Sequence, residues 1–398
     1  MGKEIELSTA ITDIAAGPFG SNLKVECFVP SGFPIIDGAN LKGYKVTDNI
    51  TKFVTEEKAR SLSRSIAHRG DVIVTISGTI GQIAYIPEDS LYDEYLCSQR
   101  QFRVSFDSSM VYVPYLVFYF HTFEGQNKIL SFANQTGVPA LSQPLKNFKK
   151  IRLCLPSLQE QRRNASIVET INDKIENNIK INDNLYAQAK AIFDNHFINI
   201  DAIPAGWRKG NLLDIANYLN GLAMQKFRPQ GNEIGLPVLK IKELRQGSCD
   251  DSSELCSLRI KPEYIIHDGD VIFSWSGSLL VDIWCGGTCG LNQHLFKVTS
   301  DIYDKWFYYL WTAHHLARFI AIAADKATTM GHIKREELAK AEVLIPCEED
   351  YTSLTSIMQP IFELIISNRI EARKLAALRD ELLPKLMSGE IDVSAIQL

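Results

Sequence analysis

Long apolar runs are absent from this sequence of 398 residues. No stretch approaches the roughly 18 uninterrupted apolar residues that a membrane-spanning helix needs. The N-terminus, MGKEIELSTAITDIA, also lacks the apolar segment that follows a basic start in a secretory signal. We therefore expect a cytoplasmic protein with no membrane partner.

The motifs of common nucleotide- and DNA-dependent enzymes are missing as well. The sequence has no Pro-Pro dipeptide, which the catalytic loop of an amino-methyltransferase would carry, and no Gly-x-Gly turn for its cofactor. Its one Gly-Lys pair, Gly2-Lys3, is followed by glutamate, so there is no phosphate-binding P-loop. These absences predict a chain that is not an enzyme and holds no cofactor of its own.

Cysteines are few for the length, and no two of the eight form a Cys-x-x-Cys pair. Cys285, Cys289 and His294 lie close together in sequence. Their spacing fits no common zinc pattern, and glycines separate the two cysteines. We predict reduced thiols and no metal site.

Excess positive charge is also lacking, since the formal net charge is −5. Domains that grip nucleic acid by bulk charge are usually basic. Any DNA-binding role must therefore depend on local patches and on a partner. The length predicts two or three domains, because single domains usually span about 100–200 residues.

What the sequence does contain is an internal repeat. Each half has a Gly-Asp-Val-Ile strand followed by Ser-Gly, then Gln-x-x-Phe-x-Val, an aromatic helical stretch, and a short apolar strand that ends in proline. The Gly-Asp-Val-Ile strand begins at Gly70 in the first half and at Gly269 in the second, and the Ser-Gly pair follows at Ser77 and Ser276. The Gln-x-x-Phe-x-Val segment begins at Gln99 and Gln293, and the apolar strand ends at Pro156 and Pro346. The repeat continues beyond those prolines at a fixed offset, with Asn178 matching Asn368.

The pattern predicts α/β (α+β) lobes in tandem repeat, joined by two long helices that form an antiparallel coiled coil with pseudo-twofold symmetry. Heptad-like apolar seams predict the helices. Asn178 and Asn368 should meet at the dyad. Pro360 predicts a kink or a late start of the second helix, and Pro384 its end, with Gly389 just beyond. The predicted segments are a first lobe at 1–155, a central helix at 156–200, a second lobe at 201–345, a C-terminal helix at 346–388 and a loose tail at 389–398.

Several segments of the chain resemble the specificity subunits of type I restriction–modification systems. The resemblance lies in Gly17-Pro18-Phe19-Gly20-Ser21-Asn22-Leu23-Lys24, in Ser77-Gly78-Thr79-Ile80-Gly81, in Pro156-Ser157-Leu158-Gln159-Glu160-Gln161 and in the segment from Leu382 to Ile391. It extends over essentially the whole chain. The second lobe departs from it, because it has Asn220-Gly221-Leu222-Ala223 in place of the Gly-Pro-Phe-Gly opening.

The resemblance implies two target-recognition domains, each of which reads one half of a bipartite, asymmetric DNA target. It implies that the helices set the spacing and bind two methyltransferase subunits, and that restriction/translocase subunits join the complex. S-adenosylmethionine, ATP and Mg²⁺ would then be held by those partners.

Candidate DNA contacts are polar residues of loops and strand ends, because base edges are read by Arg, Lys, Asn and Gln and phosphates accept from most donors. Gln99 and Gln293 could equally support a loop. The candidates are Ser21, Asn22, Lys24, Ser77, Thr79, Gln99, Arg100, Gln101 and Arg103 in the first lobe, and Gln225, Lys226, Arg228, Lys240, Lys242, Ser276, Ser278, Asn292, Gln293, His294, Lys334 and Arg335 in the second.

Three alternatives stay open at this point. The chain could be the specificity subunit of another bipartite restriction system. It could be a stand-alone DNA-modifying enzyme with an unrecognised active site, which would bind its cofactor in isolation. It could also be a coiled-coil adaptor with two protein-binding lobes, which would show no preference for a DNA sequence.

Overall fold

A computed structural model describes residues 2–134, 137–325, 333–391 and 393. The chain divides into two compact units, one of residues 1–172 with 377–398 and the other of residues 173–376. Each unit contains one globular lobe and a part of each of two long helices. The first lobe runs from residue 3 to residue 155, and the second from residue 208 to residue 345.

Within its described residues, the first lobe contains three sheets and one short strand pair. Its strands are β1 Lys3–Glu6, β2 Ile11–Ala16, β3 Phe28–Val29, β4 Phe33–Ile36, β5 Phe53–Val54, β6 Ile66–His68, β7 Val72–Thr75, β8 Ile83–Tyr85, β9 Glu94–Cys97, β10 Gln101–Phe106, β11 Ala133–Asn134, β12 Ala140–Leu141 and β13 Arg152–Leu155. Its helices are α1 Glu56–Ser61, α2 Val113–Phe120, α3 Phe123–Leu130 and α4 Pro144–Lys149. The sheets have the orders β2-β10-β7-β8, β3-β5-β4-β9-β6 and β1-β13, beside the pair β11-β12.

The central helix, α5, spans Leu158–Phe193 and is followed by a π-helical turn at Asp194–Ile198. It begins as the sequence indicates. Ser157 Oγ accepts from the Glu160 backbone N–H at 3.3 Å, and the Glu160 carboxylate accepts from the Ser157 N–H at 2.9 Å. This capping box satisfies donors that the first turn of a helix leaves free.

The second lobe repeats the order of the first. Its strands are β14 Arg208–Asn211, β15 Asn217–Asn220, β16 Leu236–Leu239, β17 Leu255–Cys256, β18 Ile265–Ile266, β19 Val271–Ser274, β20 Leu280–Ile283, β21 Cys289–Leu291, β22 Leu295–Thr299 and β23 Glu342–Ile345. Its helices are α6 Leu212–Ile215, α7 Ile241–Gln246, α8 Lys305–His314, α9 Leu316–Asp325 and α10 Arg335–Ala339, and α11 follows at Glu348–Ser388. The sheets have the orders β15-β22-β19-β20, β17-β16-β21-β18 and β14-β23.

The four-stranded sheets β2-β10-β7-β8 and β15-β22-β19-β20 are the same element in the two lobes. In each, the Gly-Asp-Val-Ile strand lies between the Gln-x-x-Phe-x-Val strand and a shorter antiparallel neighbour. The predicted tandem repeat of mixed helix and strand lobes is therefore confirmed at the level of sheet order.

Both faces of the first-lobe sheet are covered. Val72, Val74 and Phe102 pack with α2 on one face. Ile73 and Ala84, on the opposite face, pack with Ile36, Ala67 and Cys97 of the five-stranded sheet. The face of β10 that lies next to the five-stranded sheet is consequently buried. This burial decides the environment of the polar residues on that face.

The two long helices pair antiparallel within each unit. In the first unit, Asn164 Nδ2 donates to the carbonyl oxygen of Leu386 at 2.9 Å, and Arg379 donates to Asn172 Oδ1 at 3.0 Å. Positions that are later in α5 thus meet positions that are earlier in α11, as the sequence predicts.

The same antiparallel order holds in the second unit, where asparagines lie in the seam. Asn182 Nδ2 donates to the carbonyl oxygen of Ile365 at 3.1 Å, and Asn368 Nδ2 donates to Asn182 Oδ1 at 3.0 Å. Asn178 Nδ2 lies 3.5 Å from the carbonyl oxygen of Asn368 and donates to Glu371 at 2.7 Å. The predicted closeness of Asn178 and Asn368 is present, and their placement at a dyad stays a prediction.

The expected end of α11 at Pro384 was wrong, and so was a late start at Pro360, since the helix runs from Glu348 to Ser388. The alternative expectation of a kink at Pro360 stays a prediction. A proline removes one helical hydrogen bond and crowds the preceding turn. Packing compensates for that loss, because Met358 and Phe362 are buried around Pro360, and Leu386 and Met387 are buried after Pro384. Gly389, at φ +76°, follows the last helical residue as expected.

The expected loose tail at 389–398 is also wrong for the part that the structure describes. Val393 is buried, and Ile391 packs against the same apolar core of the first lobe. That core also contains Leu383, Leu386 and Met387 of α11, and the Tyr115 hydroxyl donates to the Met387 carbonyl oxygen at 3.2 Å. Residues 392 and 394–398 lie outside the described residues.

Among the helices that the structure describes, none combines the length and the apolar character needed to cross a membrane.

Candidate nucleic-acid interface

A solvent-open cleft of about 570 Å³ is lined by many of the residues predicted for the first lobe. The loop after β7 supplies Ser77 and Thr79, and the loop between β9 and β10 supplies Gln99 and Arg100. Sequence reasoning missed Asp37, Lys52 and Gln82, which also line the cleft. Asp37 caps a short 3₁₀ turn and pairs with Lys52 at 2.7 Å, and the Asp37-x-x-Asn40 spacing of that cap was the available signal.

The loop that carries Ser21, Asn22 and Lys24 lies at the edge of this cleft. Its first residue, Gly17, donates its N–H to the carbonyl oxygen of Gln101 at 2.8 Å. A Cβ atom at Gly17 would lie 1.9 Å from the carbonyl oxygen of Ser98, so only glycine fits this crossing. Ser21, Asn22 and Lys24 are exposed, as a DNA contact requires.

The second lobe makes the same crossing at Gly221. Its N–H donates to the carbonyl oxygen of Leu295 at 3.0 Å, and a Cβ atom there would lie 2.2 Å from the carbonyl oxygen of Asn292. The lobes therefore share the start of this loop, although the Gly-Pro-Phe-Gly sequence occurs only in the first.

Arg103 does not reach the surface, which corrects its prediction as a DNA contact. It is buried and donates to Asp13 at 2.6 Å and to the carbonyl oxygen of Arg64 at 3.1 Å, with Asp71 at 3.9 Å. The hydrogen bond from Arg103 lowers the pKa of Asp13 below its ordinary value. Lys297 takes the matching place in the second lobe, 2.8 Å from Asp270. In each lobe, the ion pair supports the four-stranded sheet.

Gln101 is likewise interior, with its side chain fully buried. Ser98 Oγ donates to its Oε1 at 2.5 Å. Within the described part of the chain, no protein group accepts from its Nε2. Gln101 supports the loop between β9 and β10 through this hydrogen bond and also lines the cleft, so its prediction as a DNA contact stays a prediction.

In the second lobe, a polar cluster surrounds His294, at the position of Arg100. Ser276 Oγ lies 3.0 Å from His294 Nδ1, and Gln293 Nε2 lies 3.4 Å from His294 Nε2. Ser276 and Asn292 are buried, whereas Gln293 and His294 are half-buried. The predictions for Ser276 and Asn292 are therefore corrected from direct contacts to supports, while Ser278 is exposed.

The remaining second-lobe candidates form a surface of mixed charge. Arg228 and Lys240 both pair with Glu254, Arg228 at 2.6 Å, and Lys242 lies 3.4 Å from Asp250. Hydrogen bonds from Lys240 and Arg228 lower the pKa of Glu254, so this carboxylate stays charged. Gln225, Lys226, Lys334 and Arg335 are exposed, and Arg335 Nη1 lies 3.5 Å from the Tyr218 carbonyl oxygen.

No group of three or more His, Cys, Asp or Glu side chains suited to a metal ion occurs in the described residues. Cys285 and Cys289 are both buried. Burial raises the pKa of the Cys285 thiol to about 11, which disfavours the thiolate that binds metals.

A family model described as the type I restriction modification DNA specificity domain matches residues 29–186 and again 204–378. The chain belongs to this family. The two matches fall on the two halves of the repeat, so it is a specificity subunit with two such domains. It is a recognition component and not a catalytic one. The resemblance of the chain to type I specificity subunits is thereby confirmed.

Curated relatives carry the same family name. The chain is 25% identical to the type I restriction enzyme MjaIX specificity subunit of Methanocaldococcus jannaschii over 413 aligned positions, which cover 97% of this chain and 93% of the relative. It is 20% identical to the HindI specificity subunit of Haemophilus influenzae over 195 positions, which cover 48% of this chain and 42% of that protein.

A solved structure shares the fold. The crystal structure of the type I restriction–modification S subunit from M. genitalium aligns with a TM-score of 0.57 at 13% identity, covering 96% of this chain and 95% of that one.

Proposed function

We propose that this specificity subunit reads a bipartite duplex DNA target, with one half-site for each lobe. The observation that carries the proposal is the repeated loop geometry. In both lobes, a glycine crossing and the loop before the Gln-x-x-Phe-x-Val strand lie together, at Gly17 with Ser98 and at Gly221 with Asn292. Exposed or half-buried polar side chains surround each crossing, and such side chains read base edges.

The two half-sites should differ, which would make the target asymmetric. The loop next to the glycine crossing has different side chains in the two lobes, with Arg100 in the first and His294 in the second. Arginine donates two parallel hydrogen bonds to guanine, a pattern that a single imidazole cannot reproduce. The two lobes thus share the same loop geometry and differ in the side chains that would contact DNA.

The helices are proposed to set the spacing between half-sites and to bind two methyltransferase subunits, with restriction/translocase subunits completing the assembly. α5 has 36 residues and α11 has 41, which correspond to about 54 and 61 Å at 1.5 Å per residue. One turn of DNA is about 34–36 Å. S-adenosylmethionine, ATP and Mg²⁺ would be bound by those partners, and the assembly would work in the cytoplasm.

Exchange of one lobe tests the proposal. Residues 3–155 are replaced by the corresponding lobe of a relative with a different target, and the chimera is expressed with the methyltransferase subunit. Methylome sequencing should show one half-site changed and the other retained, while the reciprocal exchange of residues 208–345 changes the other half. A chimera that is folded yet alters both half-sites would contradict the proposal of two independent readers.

A further inference from the structure

Phe19 is an exposed aromatic side chain at the edge of the first-lobe cleft. Phe19 is 82% exposed, although large apolar side chains normally gain free energy by burial. The neighbouring Gly20 is close to the cleft lining, because a Cβ atom there would lie 2.8 Å from Gln99 Oε1. Phe19 therefore precedes a residue that lies against Gln99, beside the surface that Gln99 and Arg100 form.

The loop holds this ring in an outward position. Pro18, just before it, is buried, and Leu23, just after it, is buried in the core formed with Phe33 and Val54. Between these anchors, the Asn22 N–H donates to the Phe19 carbonyl oxygen at 2.8 Å and closes a tight turn. Such anchoring fixes the loop backbone that carries the ring before any ligand arrives, which lowers the entropy cost of binding.

The second lobe has no equivalent ring at this place. With Gly221 matched to Gly17, the position of Phe19 is taken by Ala223, which is half-buried and is followed by the buried Met224. The shared fold therefore does not require an aromatic residue here. The ring belongs to the first-lobe segment that resembles the family, and the second lobe lacks it.

The surrounding chemistry indicates the group that the ring contacts. Its neighbours Asn22, Lys24, Gln99 and Arg100 are hydrogen-bonding side chains suited to base edges. An apolar ring beside these side chains gains free energy by covering an apolar group on those edges, and in the major groove this group is the C5-methyl of thymine. We infer that the Phe19 ring packs against a thymine methyl group in the half-site that the first lobe reads. This inference rests on the proposed function.

Deoxyuridine tests the contact, since it keeps the hydrogen-bonding edge of thymine and lacks only the methyl group. Each thymine of the first half-site is replaced in turn, and binding is measured with the full chain in complex with its methyltransferase subunit. Loss of one buried methyl group should weaken binding about fourfold at one position, from about 0.8 kcal/mol per buried CH₂ and 1.4 kcal/mol per tenfold change in affinity.

The Phe19→Ala variant should bind thymine and deoxyuridine equally at that position, and Phe19→Leu should retain a reduced preference of about twofold. Phe123→Ala is the matched control, because Phe123 is 83% exposed at the start of α3. It should keep the full preference. Indifference of the unaltered protein to every deoxyuridine, an undiminished preference in both Phe19 variants, or a first half-site without thymine would each overturn the inference. Lobe exchange separates this failure from failure of the proposed function, because the exchanged half-site would still change.

Discussion

Arg103 and Arg100 are neighbours in sequence with opposite environments. We expect Arg103→Ala to lower the free energy of unfolding of the first unit by about 1–3 kcal/mol, because the buried Asp71 loses a cation, whereas the half-exposed Asp13 is solvated in its place. Arg100 is exposed, so Arg100→Ala should change stability by less than about 0.5 kcal/mol. Urea unfolding measures both.

The same two variants should have the reverse order of effects on DNA affinity. Arg100→Ala should weaken specific binding by the complex by about 1–3 kcal/mol, the usual contribution of an arginine that reads a base. A folded, stable Arg103→Ala protein with a selective loss of affinity for DNA would show that the interior assignment of Arg103 is wrong.

The burial of Arg103 could not be predicted from its strand. The sequence Gln101-Phe102-Arg103-Val104 alternates polar and apolar residues, which indicates a strand with one solvated face. Arg103 pairs with Ile73 in register, and the face that they share is covered by the five-stranded sheet. The burial of Arg103 depends on contacts between two sheets whose strands are distant in sequence. A local sequence pattern holds no information about such contacts.

At the scale of elements, the asparagines of the helix seam form a linked set. Asn368→Leu should cost about 1–3 kcal/mol, because it leaves the buried Asn182 Oδ1 without its donor. The double variant Asn182→Leu/Asn368→Leu should cost less than the two single variants together, since both polar groups are then removed. Denaturant unfolding of the four proteins gives the coupling energy.

Asn184→Leu is the control for this cycle, because Asn184 is exposed on the same helix and should have an effect of less than about 0.5 kcal/mol. Strictly additive single effects would contradict the link between Asn182 and Asn368.

The helices were the elements best predicted from the sequence. The capping box at Ser157 and Glu160 located the start of α5, and the fixed repeat offset brought Asn178 next to Asn368. The helix end expected at Pro384 and the late start considered at Pro360 were misjudged for a physical reason. Helix propensity is a local preference, and burial of Met358, Phe362 and Leu386 outweighs it.

At the scale of the whole molecule, the proposed spacer function predicts that length can be added only to both helices together. One heptad is inserted after Asn172 and one after Ala376, where the two compact units divide. Seven residues add about 10 Å, which equals about three base pairs of rise at 3.4 Å each. Methylome sequencing should show both half-sites unchanged and a spacer longer by about three base pairs.

A heptad inserted into α5 alone is the control. It shifts the seam out of register and should abolish methylation, because the asparagine pairs and the apolar contacts can no longer form together. An unchanged spacer in the double insertion would contradict a spacing role for the helices.

The net charge of −5 makes a further prediction at this scale. Counterion release from phosphates dominates non-specific DNA affinity, and an acidic chain gains little from it. The purified chain should therefore bind its target no more tightly than about 1 μM at physiological salt, and addition of the methyltransferase subunit should restore tight binding. Fluorescence anisotropy measures both, and nanomolar specific binding by the chain alone would contradict the prediction.

The first unit takes its last core residues from Leu383, Leu386, Met387 and Val393. During synthesis, the ribosome must therefore translate the whole second lobe before the first can complete its core. At about 5–20 residues per second, this delay lasts tens of seconds. The lobe that is made first thus completes its core last, and through this interval the apolar surface that contacts the end of α11 has no partner.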